Sequence, residues 1–118
     1  MEDRWLVYRT EQEMVRIPIQ AVVCVKADGN YSTICQADGR TVIVTMQLGE
    51  MEERIADMLG TDHPFMRIGR SLIVNMSYIV YVNPARQKLT LSDCRTFHYE
   101  ESASREALKQ VKSIIEGR

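Results

Sequence analysis

Phe65-Met66-Arg67-Ile68-Gly69-Arg70-Ser71-Leu72-Ile73-Val74-Asn75 sets two arginines and a serine between apolar residues, with a glycine in the middle. Leu72, Ile73 and Val74 are suited to a strand that enters a hydrophobic core, and Gly69 gives the backbone the freedom a turn needs. A basic turn held rigid by core residues meets the requirements for reading nucleobases. The planar guanidinium of Arg70 can donate two parallel hydrogen bonds to the O6 and N7 acceptors of guanine in a major groove. Ser71 can donate to a phosphate oxygen and so fix register. Asn75 reads as the residue that closes the segment.

Upstream of this stretch the chain is strand-like. Trp5-Leu6-Val7-Tyr8, Met14-Val15-Arg16-Ile17 and Ala21-Val22-Val23-Cys24-Val25 are short β-prone runs, and Pro18 marks an edge or a break between the second and third. Asp28-Gly29 and Asp38-Gly39 punctuate two hairpins, because glycine with aspartate or asparagine tolerates the positive φ of tight turns. Between them Tyr31, Thr33 and Cys35 alternate with Ser32, Ile34 and Gln36, and Thr41 to Thr45 is the returning strand. From Leu48 to Leu59 the period changes, with Leu48, Met51, Ile55 and Met58 or Leu59 at helical spacing. This spacing predicts a helix that lids a sheet. Its other faces carry Glu50, Glu52, Glu53 and Asp57, which phosphate would repel, so the helix is expected to lie away from nucleic acid. Gly60 and Pro64 end it.

Downstream, Tyr78 to Val82, Lys88 to Leu91 and Arg95 to Tyr99 read as strands, the first two joined by a turn at Asn83-Pro84. The tail from Ser104 onward is helical, with Ser104 as N-cap, Glu106 favourable in the first turn, and Leu108, Val111 and Ile115 on one side. Arg105 then stands at a helix start, where amides and a cation together suit a phosphate or a base edge. Asn30 can read adenine through its amide, and Tyr31 can meet a phosphate or a thymine methyl. Each has a plainer alternative. Arg105 can pair with Glu101 or Glu106 on a wet surface, and Asn30 and Tyr31 can be a turn residue and its core neighbour.

The 118 residues, 45% hydrophobic and 26% charged, suit one globular domain with a modest core. No apolar run approaches the roughly 20 residues of a membrane span. The opening Met1-Glu2-Asp3-Arg4 lacks the basic start and apolar core of a secretion signal, so a cytoplasmic protein is expected. Cys24, Cys35 and Cys94 form no Cys-x-x-Cys pair and read as reduced, structural thiols. The net charge of −1 is unlike the basic balance of a nucleic-acid binder, but its distribution is uneven. Residues 1–62 hold 6 basic and 11 acidic side chains, and residues 63–118 hold 9 and 5. From His63 through Ser92 there is no acidic residue, while Arg67, Arg70, Arg86 and Lys88 are present. One electropositive side follows if these converge; otherwise they form a solvated strand surface.

The central stretch resembles the most recognisable motif of the LytTR (LytR/AlgR) family of bacterial transcription-factor DNA-binding domains, Phe-x-Arg-apolar-x-Arg/Lys-Ser-x-apolar-Val-Asn. Ile17-Pro18 leading into Val22-Val23, the Asp28-Gly29-Asn30-Tyr31 turn, Leu48 opening a helix and the late Ser104-Arg105 pair fall in matching order. The resemblance covers nearly the whole chain. Two departures stand inside the motif: the family commonly has histidine where Gly69 stands, and an aromatic or histidine where Leu72 stands. They bear on target sequence more than on fold.

The resemblance implies a mainly β fold, an elongated arrangement of small antiparallel sheets with one short middle helix and a C-terminal helix. It implies loops, rather than a recognition helix, inserted into successive major grooves of double-stranded DNA. The reading heads are then Asp28 to Tyr31, Gly69 to Ser71 and the Ser104-Arg105 corner, with Arg67 or Lys88 adding phosphate contacts. Family members commonly follow a phosphorylated receiver domain, for which the 118 residues leave no room. The chain is then either a free-standing regulator or a piece of a longer protein; a free-standing one is expected to be switched by a masking protein partner or by DNA-driven pairing on repeated half-sites, and no cofactor and no membrane insertion are expected. An enzyme has little to work with, since His63, His98 and Asp93 form no recognisable catalytic or metal-binding spacing. The stronger rival is a protein-binding module, for which the near-neutral total charge, seven methionines and the acidic helix speak.

Overall fold

In the computed structural model, which describes residues 4–117, three antiparallel sheets and two helices stack in layers around two apolar cores. Met1 to Asp3, whose composition argues against a secretion signal, and Arg118 lie outside the described residues. The middle layer is a five-stranded sheet. It is made of β3 (Val22–Asp28), β4 (Tyr31–Gln36), β5 (Thr41–Val44), β6 (Phe65–Ile68) and β7 (Leu72–Asn75), in the order β5-β4-β3-β7-β6. One face carries the helix α1 (Leu48–Leu59) and the hairpin of β1 (Trp5–Arg9) with β2 (Met14–Pro18). The other face carries the sheet β10-β9-β8 and the terminal helix α2 (Arg105–Gly117). Its strands are β8 (Ile79–Asn83), β9 (Lys88–Ser92) and β10 (His98–Ser102).

Because both faces of the middle sheet are covered, its central strand has no polar side: Val22, Val23, Cys24 and Val25 are all fully buried. A register shift between Val22 and Cys24 lets the neighbours Val23 and Cys24 serve the same core, while Val22 and Val25 serve the opposite one. Cys24 faces Cys35 across the β3–β4 ladder, and both thiols are free and buried among apolar side chains. Cys94 is exposed. The α1 stripe of Leu48, Met51 and Ile55 closes the first core, and Leu108 and Val111 of α2 close the second.

Three local readings are revised. Arg95, Thr96 and Phe97 are not strand: they belong to a turn built on Asp93, and β10 begins at His98. The Asp93 carboxylate accepts from the Thr96 hydroxyl and from the backbone N–H groups of Arg95, Thr96 and Phe97. These bonds, the Thr96 hydroxyl foremost, hold its carboxyl well below the usual carboxylate range. A strand would leave that carboxylate without the N–H donors the turn supplies. The apolar stripe of α2 ends at Val111, since Ile115 is 51% exposed beside Ile114 at 55%. Asn75 does more than close a segment. Buried, it donates from Nδ2 to the Val22 carbonyl at 3.0 Å and accepts at Oδ1 from Ser77 N–H at 3.0 Å, starting the 3-10 turn Met76–Tyr78.

Leu108→Ala is expected to destabilise the fold by about 2–5 kcal/mol, measured by chemical denaturation, because the second core has no other helix to fill the space. Asp93 contributes stability above the ordinary carboxylate pKa of about 4 and loses it as pH falls toward its depressed folded value. Asp93→Ala should therefore lower the thermal midpoint at pH 7, and the gap from the parent protein should narrow on acidification below about pH 4.

Candidate nucleic-acid interface

The ladder of β3 with β4 closes at the Asp28–Tyr31 pair, so Gly29 and Asn30 form the turn, with Gly29 at φ +65°. β3 is also hydrogen-bonded to β7 on its other edge, through Lys26 opposite Leu72, and one step further Ala27 N–H donates to the Ser71 carbonyl at 2.8 Å. The β6–β7 hairpin closes at Ile68 opposite Leu72, leaving Gly69, Arg70 and Ser71 as its loop. Antiparallel pairing on both edges thus sets the 29–30 turn and the 69–71 loop side by side at one end of the sheet. Gly69 has φ +65°, in the left-handed region that favours glycine.

A salt bridge brings the third element to the same end. Lys26 Nζ lies 3.4 Å from Glu101 Oε2 on β10, and the chain then passes Ser102 and Ala103 to Ser104 and Arg105. Ser104 caps α2: its hydroxyl accepts from Ala107 N–H at 3.1 Å and its carbonyl from Leu108 N–H at 3.0 Å. Arg105 is exposed at the first helical position. The β8–β9 turn joins this corner, because Lys88 pairs with both Asn83 and Ser102, and the Gln87 carbonyl accepts from Ala103 N–H at 3.4 Å. At the opposite end Tyr99 and Thr96 donate their hydroxyls to the carbonyls of Gln36 and Ala37, which fixes the direction of the three-stranded sheet.

All nine residues singled out from the sequence therefore stand at or beside one end of the molecule, in different conditions. Asn30, Tyr31, Gly69, Arg70, Ser71, Lys88 and Arg105 are exposed. Ser104 is exposed too, with its hydroxyl engaged in capping. Arg67 is half-buried and committed internally: Nη1 meets Glu52 Oε1 at 3.0 Å and Nη2 donates to the Arg70 carbonyl at 3.1 Å. That pair of contacts braces the loop from α1. Arg70, Arg86, Lys88 and Arg105 make no ion pair with another described residue, so their charges face solvent.

Two residues join this end that motif reading did not select. Arg86 occupies the β8–β9 turn, with its N–H donating to Asn83 Oδ1 at 3.1 Å; it was visible as a charge but not as part of this end. Gln47, just ahead of α1, donates from Nε2 to Asn30 Oδ1 at 3.4 Å. The acidic composition of α1 leads to the expectation that the helix lies away from nucleic acid; Gln47, ahead of its first turn, abuts the Asn30 turn. Only sheet registry could reveal this contact, through Ser32, whose hydroxyl donates to the Met46 carbonyl at 2.6 Å.

The arrangement offers solvent a set of short, stiff turns carrying guanidinium, ammonium and amide donors, spaced along one end of a body 45 × 36 × 29 Å in extent. Similarities to known proteins bear on the fold and the family. The family model described as LytTr DNA-binding domain matches residues 12–116. Among solved structures, the LytTr DNA-binding domain of a Bacillus cereus protein described as a methyl-accepting/DNA response regulator shares this fold. The two superpose with a TM-score of 0.65 at 19% identity, over 98% of this chain and 99% of the other. No curated protein matches the chain. With the family model spanning all but the ends of the sequence and the same layered sheets in a solved member, this chain belongs to the LytTR DNA-binding domain family.

Proposed function

We propose that this domain binds double-stranded DNA sequence-specifically, as part of a bacterial transcriptional regulator, through turns inserted into the major groove. The observation that carries the reading is the convergence of the 29–30 turn, the 69–71 loop and the Ser104-Arg105 corner on one end, with Arg70 and Arg105 free of ion pairs among the described residues. Arg70 is the base reader: it is carried on a loop whose carbonyl is gripped by Arg67, so its guanidinium is presented from a fixed backbone. Arg105 reads a second position from the start of α2. Asn30 is the third reader, its Oδ1 held by Gln47 and its amide N–H groups left to donate.

Lys88, Arg86, Ser71 and Tyr31 supply backbone contacts, which set register and most of the salt-dependent affinity without choosing sequence. Arg67 takes the part of a brace for the loop, with any phosphate contact secondary to it. Gly69 serves through its positive φ. Repeated half-sites, filled by two copies pairing on DNA, extend this reading, and such a role places the protein in the cytoplasm. A masking protein partner has a surface available in the outer face of the three-stranded sheet, where Val80 and Tyr81 are 50% and 43% exposed.

Selection of duplexes from a random pool, followed by titration of the selected site, tests the reading. Affinity should fall steeply with added salt, and indifference to both DNA and salt would identify a protein-binding module instead. Arg70→Ala is expected to lose about 1–3 kcal/mol of binding and relax preference at one base pair. Lys88→Ala should weaken all duplexes alike and reduce the slope of log K against log salt by about 1. A Lys88 variant that changes base preference, or an Arg70 variant that leaves it intact, would reverse these assignments.

A further inference from the structure

Gln47 stands in the extended N-cap position of α1, where a short oxygen-bearing side chain usually accepts from the first-turn N–H groups. Its own side chain makes no such bond, so helix capping does not account for the amide. The backbone around it is nonetheless held at three successive residues. Thr45 N–H donates to the Tyr8 hydroxyl at 3.0 Å, and the Met46 carbonyl accepts from the fully buried Ser32 hydroxyl at 2.6 Å. The Gln47 carbonyl accepts from Met51 N–H at 3.1 Å. Ser32 is paired with Val44 and follows Tyr31, so the same bonds anchor residue 47 beside the turn that carries Asn30. From this fixed origin the Gln47 side chain makes one hydrogen bond among the described residues, Nε2 to Asn30 Oδ1 at 3.4 Å.

We propose that Gln47 is a positioning residue that sets the base preference of Asn30, turning it from adenine to guanine. An unrestrained asparagine amide reads adenine with a donor and an acceptor together, Nδ2 donating to N7 and Oδ1 accepting from the N6 amino group. In this domain Gln47 takes the acceptor half of that pattern. The bond also sets the rotation of the amide, with the oxygen turned toward Gln47 and the Nδ2 hydrogens turned away from it. What is left for a base is a pair of donors. Guanine offers two acceptors, N7 and O6, on its major-groove edge and no donor, whereas the amino group of adenine meets an oxygen already engaged. The inference rests on Asn30 facing a base, as proposed above, and adds which base it faces and why.

Selection of duplexes by the whole chain, followed by competition titration, tests the proposal. The base pair whose preference is lost in Asn30→Ala marks the position. There the parent protein should favour guanine over adenine by about tenfold. Gln47→Met, which keeps the length of the side chain and removes its amide, should reverse that order. Since Gln47 is exposed and caps nothing, the thermal midpoint should not move. With Asn30→Ala already present, Gln47→Met should change nothing at that base pair. The base pair relaxed by Arg70→Ala is the control, and Gln47→Met should leave it as in the parent. An adenine preference in the parent, an unchanged order in Gln47→Met, or an effect of Gln47→Met that persists without Asn30 would each overturn the proposal. With the Arg70 control intact, those outcomes leave DNA reading itself standing. A parent protein that selects no sequence at all would overturn both.

Discussion

Strand β3 is hydrogen-bonded on both edges, and the position of every functional element follows from that constraint. Lys26 is the pivot of this geometry: it faces Thr33 on β4, Leu72 on β7 and, through its ammonium, Glu101 on β10. The first two pairings fix the ends of two hairpins, and the third brings the second sheet and the start of α2 alongside. The salt bridge itself is partly solvated, with Lys26 at 43% and Glu101 at 13% side-chain exposure, so its strength is modest. Its value is positional. The second core, shared by Val23, Val74, Leu89 and Leu108, supplies the stability that keeps the two sheets together.

A β framework of this kind suits a reading surface made of turns. Turn residues on well-registered hairpins move little, because their flanking residues are locked in ladders and cores on both sides. The 69–71 loop shows this most clearly: Ile68 and Leu72 are buried at its base, Ala27 N–H holds the Ser71 carbonyl, and Arg67 holds the Arg70 carbonyl. Three separate restraints thus act on the backbone of a three-residue loop, from which the exposed Arg70 side chain projects. Rigid presentation lowers the entropy lost on binding and sharpens discrimination between bases. The same Arg67 contact ties the loop to α1 through Glu52, so a change beside the helix has a direct route to the loop.

Much of this was legible in the residues. The boundaries of α1 follow from its apolar spacing and Gly60, and the hairpins follow from Asp28-Gly29 and Asp38-Gly39. Failures arose where a side chain overrides local propensity. The Arg95-Thr96-Phe97 run is β-prone by composition, but the carboxylate of Asp93 gathers its N–H groups into a turn. Ile115 fits the helical stripe of α2, yet periodicity says nothing of where the packing partner stops. The grouping of the candidate site was beyond local patterning altogether. Asn30 meets Gln47, and Lys26 meets Glu101, through the pairing of strands and not through sequence neighbourhood, and a list of charges carries no registry. The family motif supplied the loops, while the sheet topology supplies their adjacency.

The central claim is that turns from both sheets form a single DNA-facing end. Amide chemical-shift mapping of the domain against a selected duplex tests it most directly. The account predicts perturbation of residues 28–31, 69–71, 84–88 and 104–105 together, with the outer face of α1 unmoved beyond Gln47. Perturbation centred on Glu53, Asp57 and the β1–β2 hairpin, or confined to only one of those turns, would contradict it.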